Sequence, residues 1–153
     1  MQGVGQKSSD ALYSSEILYV GGGRYTVRGF EYNGISGATG GYVKNDLTLN
    51  LQEVLGDKNS KNKFANFGLN TVKNLKPYIF YDAGYAKQIV ASDEKSKNEY
   101  ISGAGLGLKY YGKYLNGEIS YARNIKAPDY VIQSNDRKKD AIYFGISGKY
   151  WLF

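Results

Sequence analysis

From Gly21 to Gly34 the chain reads GGGRYTVRGFEYNG, which sets Arg28 between Val27 and a Gly-Phe pair inside a glycine-rich stretch. A guanidinium presents a planar fork of N–H donors that matches an oxygen anion. Phosphate is the first anion to consider, but a phosphate-cradling loop needs a helix directly after it to supply oriented N–H groups. Here ISGATGGYVKNDLTLNL follows, with more glycine and then a period of two, and no Gly-Lys-Ser/Thr occurs anywhere. The bland alternative is a solvated turn with an incidental arginine.

Composition removes most other chemistry. The 153 residues contain no cysteine and no histidine. Disulfides, thiol chemistry and His- or Cys-ligated metal are excluded, as are the Ser-His and Cys-His pairs of nucleophilic catalysis. No enzyme activity and no cofactor is expected. The formal charge of +6 raises nucleic acid as a partner, but the lysines are scattered over loops instead of being gathered with stacking aromatics, so none is expected. Sixteen tyrosines, twenty glycines and two prolines suit β-structure with many turns.

The elements that must carry Arg28 and its surroundings are strands. Period-two alternation predicts six: 10–20, 41–54, 76–87, 100–111, 115–123 and 141–153. Val43, Leu47, Leu49 and Leu51 face one way, Lys44, Asp46, Thr48 and Asn50 the other. Ile79, Tyr81, Ala83 and Tyr85 oppose Phe80, Asp82, Gly84 and Ala86, and Ala104, Leu106 and Leu108 oppose Gly103, Gly105 and Gly107. Three glycines on one face imply that something packs close to that backbone. The polar connections show no sustained helical stripe, although 64–75 has room for a short helical turn.

No run of eighteen apolar residues exists, so no transmembrane helix is expected. Nor does Met1, followed by QGVGQKSSD, open a signal peptide. Strands of about ten residues do fit a tilted crossing of a bilayer. A soluble sandwich alternates too. Aromatic residues near strand ends, charged residues (Asp46, Glu118, Lys149) on the opposite faces and the aromatic ending YWLF favour a membrane barrel.

The segments YSSEILYVGGGRYTVRGF, GGYVKNDL, LKPYIFYDAGYA and SGAGLGLKYY, in this order and with a terminal phenylalanine, resemble the C-terminal part of two-partner secretion transporters. These are the hemolysin secretion/activation proteins of bacterial outer membranes. The resemblance covers nearly the whole chain. It implies an all-β fold, an antiparallel transmembrane β-barrel segment of about six strands within a larger 16-stranded barrel. Residues 1–153 would be its C-terminal part, with residues 21–40 forming the sixth surface loop, folded back into the lumen. The loop motif would be Val27, Arg28, Gly29 and Phe30, and the lumen-facing partner motif Phe80, Asp82 and Gly84, with Asp82 holding Arg28 as a latch. The implied partners are a large secreted exoprotein and outer-membrane lipid. The implied activity is translocation of that exoprotein without nucleotide or cofactor.

Insertases of outer-membrane proteins share the arginine motif and remain the alternative, together with a structural barrel that secretes nothing. The absence of an E-L-x-F-P segment after the loop speaks for secretion. Asp46 departs from the family pattern, which has glutamate there. The connection after the second strand is long for a periplasmic turn, and Trp151 and Phe153 upset the alternation at the end. The family's periplasmic POTRA domains, plug helix and about ten strands have no counterpart in these residues, so a part of a longer transporter is expected.

Overall fold

The computed structural model describes residues 1–10, 12–13, 16–30, 34–55, 68, 71–88, 97–134 and 139–148. Its strands are β1 (Gln2–Gln6), β2 (Leu18–Val20), β3 (Ile35–Gly37), β4 (Thr39–Thr48), β5 (Leu75–Gln88), β6 (Lys97–Tyr111), β7 (Leu115–Lys126) and β8 (Asp140–Gly148). Six of them form one antiparallel sheet in the order β1-β4-β5-β6-β7-β8, and β2 and β3 form a separate two-stranded ribbon. The all-β antiparallel class expected from the sequence is therefore observed. The sheet is open, with β1 and β8 at its edges. Among the described residues no helix is long and apolar enough to cross a membrane.

The alternation sorts side chains as the sequence indicates. Leu47, Ile79, Tyr81, Leu106, Ile119, Ile142, Phe144 and Ile146 stand exposed on the outer face. On the inner face Tyr78, Phe80, Asp82 and Ala86 are buried. So continuous an exposed apolar face marks a surface that a partner or a membrane covers.

The first expected strand, 10–20, is not a member of this sheet. Of its described residues only Leu18–Val20 are extended, and they pair with Ile35–Gly37 beside the inner face. The sheet position beside β4 belongs to β1, whose five residues, QGVGQ, hold one large apolar side chain and so carry no alternation to read. What admits β1 is glycine on β4: a Cβ on Gly41 would lie 2.7 Å from the Val4 carbonyl oxygen.

The second strand ends at Thr48, not at residue 54. The chain there turns into α1 (Leu51–Leu55), where the Asn50 carbonyl accepts from the amides of Glu53 and Val54. Residues 68 and 71–73 are helical as well. A further helix, α2 (Asp129–Ser134), interrupts the connection before β8, its first turn closed on the Pro128 carbonyl. The helical residues 68 and 71–73 fall within 64–75, where a short helical turn was expected, whereas α1 and α2 are too short to show a stripe, which is why periodicity missed them. Of the last expected strand, 141–153, residues 141–148 are observed, within β8. The terminal aromatics, Trp151 and Phe153 included, lie outside the described residues.

Between β2 and β3 the chain carries a core of its own. Val20, Val27, Phe30 and Ile35 are fully buried together with Ala86, Ile101 and Val131 from β5, β6 and α2. The loop is thus packed onto the inner face of the sheet by apolar burial, at roughly 1.5–3 kcal/mol for each large side chain.

Candidate functional site

The loop turns on glycine. Gly21, Gly22 and Gly23 all have positive φ, a conformation that other residues adopt only under strain. The amide of Gly23 donates to the Phe30 carbonyl at 3.0 Å, which closes residues 23–30 into a compact tip.

Within that tip each motif residue has its own contact. Val27 sits in the apolar cluster over Gly84, where a Cβ would collide with Val20 and come within 3.0 Å of Val27. Gly29 has φ +103° and lies against the backbone of Arg123 and Asn124, at 2.9 Å for a Cβ built there. Phe30 fills the cluster beside Ile101, and its carbonyl accepts from the Tyr143 hydroxyl at 3.0 Å. The same hydroxyl accepts from the Gly29 amide at 3.2 Å.

Arg28 points the other way, into a set of charges. Its Nε donates to Asp82 Oδ2 at 2.6 Å and its Nη2 to Asp82 Oδ1 at 2.8 Å, the bidentate fork-to-carboxylate arrangement. The Arg28 backbone amide adds a third bond to Asp82 Oδ2 at 3.2 Å. Asp82 is completely buried and the Arg28 side chain is 5 % exposed. The guanidinium lies 3.6 Å from the centre of the Phe80 ring, a cation–π contact in a desolvated place. The three residues of the FYDAG motif thus have distinct parts: Phe80 a platform, Asp82 the anion, Gly84 the space.

Asp46 on β4 is a second carboxylate on the same arginine, with Oδ1 accepting from Arg28 Nη2 at 2.6 Å. Its Oδ2 accepts from Lys109 at 2.9 Å, and Lys109 in turn stands 4.2 Å from the centre of the Tyr78 ring. Two carboxylates and two cations therefore alternate across β4, β5 and β6. Burial by itself would lower the pKa of Arg28, but the hydrogen bonds that it donates to Asp82 and Asp46 outweigh it. The net effect is a value above the ordinary arginine range, and the charge is permanent.

The register explains why these residues meet. Lys44 pairs with Asp82 and Asp46 with Phe80 across β4 and β5, and Asp82 pairs with Gly103 across β5 and β6. Cross-strand partners share a face. The three β6 glycines serve different neighbours: Gly103 admits the Arg28 carbonyl, Gly105 the Phe80 ring and Gly107 the Tyr78 ring.

Other anchors of the loop were not legible as such. Tyr143 reaches it from β8. Arg24 reaches Glu118 on β7 at 2.8 Å, and Lys44 donates to the Arg24 carbonyl at 2.6 Å. Only the polar-face positions of Lys44, Asp46, Glu118 and Tyr143 were available in the sequence, without the loop residue that each would meet. A polar cavity of about 180 Å³ remains between these groups, lined by Arg24, Arg28, Lys44, Asp46, Lys109 and Glu118 among others. No metal-binding cluster of acidic residues occurs among the described residues.

Among the described residues the arrangement holds no activated nucleophile and no base poised on one. It is a tie between a loop and a sheet wall. A family model described as haemolysin secretion/activation protein ShlB/FhaC/HecB matches residues 1–110, a span that contains both the loop and the FYDAG segment. No curated protein matches, and no solved structure does.

Proposed function

The chain belongs to the haemolysin secretion/activation protein family, ShlB/FhaC/HecB, and from that premise we propose that its sheet forms part of the wall of a protein-conducting pore. Proteins of this family are transporters of the bacterial outer membrane, working in two-partner secretion. On this reading the exposed apolar face meets outer-membrane lipid, and the edge strands β1 and β8 are where further strands join. Edges left unpaired in lipid would leave backbone groups without partners. The inner face lines the lumen, through which a large unfolded exoprotein passes without nucleotide or cofactor and without chemical change.

The loop that carries Val27, Arg28, Gly29 and Phe30 occupies that lumen, and Asp82 holds it there. The single observation that supports this role is the bidentate Arg28–Asp82 pair, buried on both sides. Such a pair resists partial loss, because removing one partner strands the other charge in a poorly hydrated place, at about 3–5 kcal/mol. It therefore works as a latch, with the loop either seated with its charge satisfied or released as a unit.

The test is a double-mutant cycle on secretion of the exoprotein. Arg28→Ala and Asp82→Ala should each reduce secretion while the protein still reaches the outer membrane, and the double variant should be little worse than either single. Residues acting as a unit give such non-additivity. If the two defects simply multiply, the residues act separately and the latch is wrong.

A further inference from the structure

Arg24 engages the opposite side of the inner face from Arg28. Arg28 is held by β4 and β5, whereas Arg24 lies against β7 and β8, with its Nη2 2.8 Å from Glu118 Oε2. The site for its guanidinium is prepared. Gly145 on β8 is bare where a Cβ would strike the Arg24 head group. Glu118 is oriented by the Tyr78 hydroxyl, which donates to its other oxygen at 2.7 Å. Lys44 fixes the Arg24 backbone through its carbonyl. The burial of the two ties differs: the side chains of Arg24 and Glu118 are 37 % and 27 % exposed, while those of Arg28 and Asp82 are nearly sealed.

We propose that Arg24 and Glu118 form a second tether of the loop, a releasable one, which closes the polar cavity toward β7 and β8 while the Arg28 tie stays made. The inference rests on the reading that Arg28 seats the loop. A partly hydrated ion pair exchanges its partners for water at little cost, and a buried bidentate pair does not. The loop therefore has two stages of release. Parting of Arg24 from Glu118 exposes the wall of β7 at Ser120, which is buried and lines the same cavity. Arg24 is a positioning residue in this scheme.

These residues contain no cysteine, so a single introduced thiol is the one thiol among them. In isolated outer membranes carrying the protein, Ser120→Cys is labelled with a small charged thiol reagent, and Val27→Cys, at a fully buried position beside Arg28, serves as the second probe. Arg24→Gln and Glu118→Gln should each raise the labelling rate at Ser120→Cys about fivefold, the factor that corresponds to the ~1 kcal/mol of a partly exposed ion pair. The rate at Val27→Cys should not change. Exchange of the two charges, Arg24→Glu with Glu118→Arg, should bring the Ser120→Cys rate back toward the parent. Gly145→Ala keeps both charges but displaces the guanidinium, and should raise the rate as well. Unchanged Ser120→Cys labelling in all three single variants overturns the tether, as does failure of the exchange to restore it. A parallel rise at Val27→Cys also overturns it, since the loop then leaves in one step. Val27→Cys labelled as fast as Ser120→Cys in the parent background overturns the seated loop itself, and the tether with it.

Discussion

Gly103 and Arg28 are in contact backbone to backbone: a Cβ on Gly103 would overlap the Arg28 carbonyl oxygen. The loop thus lies directly on the β6 strand, and the guanidinium reaches Asp82 on the neighbouring strand because nothing separates the two backbones. Gly103→Ala should lift the loop without altering any charge. We expect loss of secretion comparable to that of Arg28→Ala, with normal delivery to the membrane. Parent-level secretion from Gly103→Ala would show that the loop need not lie this close.

The two carboxylates on Arg28 should differ in weight. Asp82 is fully buried, whereas the Asp46 side chain is 29 % exposed and shares itself with Lys109. Asp82→Ala should lower stability by about 3 kcal/mol and Asp46→Ala by about 1 kcal/mol, as read from urea unfolding of the folded protein in detergent. Equal losses would mean that the charge cluster is held as one block.

Lengthening the same two side chains gives a sharper contrast. Asp46 borders the polar cavity, so Asp46→Glu has room for its extra methylene and should secrete at close to the parent level. Asp82→Glu would push the same methylene into a filled site, at about 1–3 kcal/mol for overpacking, and should impair secretion. Secretion assays of the pair, side by side, decide this, and an impaired Asp46→Glu would count against it.

On the outer face, Ile79→Lys and Leu106→Lys place a charge among exposed apolar neighbours. If that face meets lipid, each should reduce assembly into the outer membrane, at about 2–4 kcal/mol near the bilayer midplane. Accumulation of unassembled protein, measured by membrane fractionation, is the expected result. Undiminished assembly of both would mean that the face is not in lipid.

The antiparallel order puts the β5–β6 and β7–β8 connections at one end of the sheet, the end where the loop enters. In the outer membrane this should be the cell surface. Cysteines at Ser92, which lies outside the described residues, and at Ser134 should react with an impermeant thiol reagent on intact cells. Protection of both would invert the topology.

By itself the sequence determined which side of each long strand is apolar, because alternation at period two is a local property and β4 to β8 are long enough to display it. It also ruled out a phosphate loop around Arg28, and through the resemblance of its motifs it pointed to Asp82 as the partner of that arginine. The charge of Asp46 and the glycines of β6 were visible as well, but only as members of a face. Which of them meets the loop was decided by tertiary structure, since register across three strands sets Asp46, Phe80, Asp82 and Gly103 side by side. The place of the first strand was likewise a tertiary decision. Residues 10–20 alternate convincingly, yet the apolar cluster around Val20, Val27 and Phe30 draws part of that segment onto the inner face, while the glycine-rich β1 takes the sheet edge through backbone bonds that need no side-chain pattern. A loop that packs against a distant wall leaves little mark on its own residues. Arg24 and Glu118 are 94 positions apart, and only the folded chain brings them together.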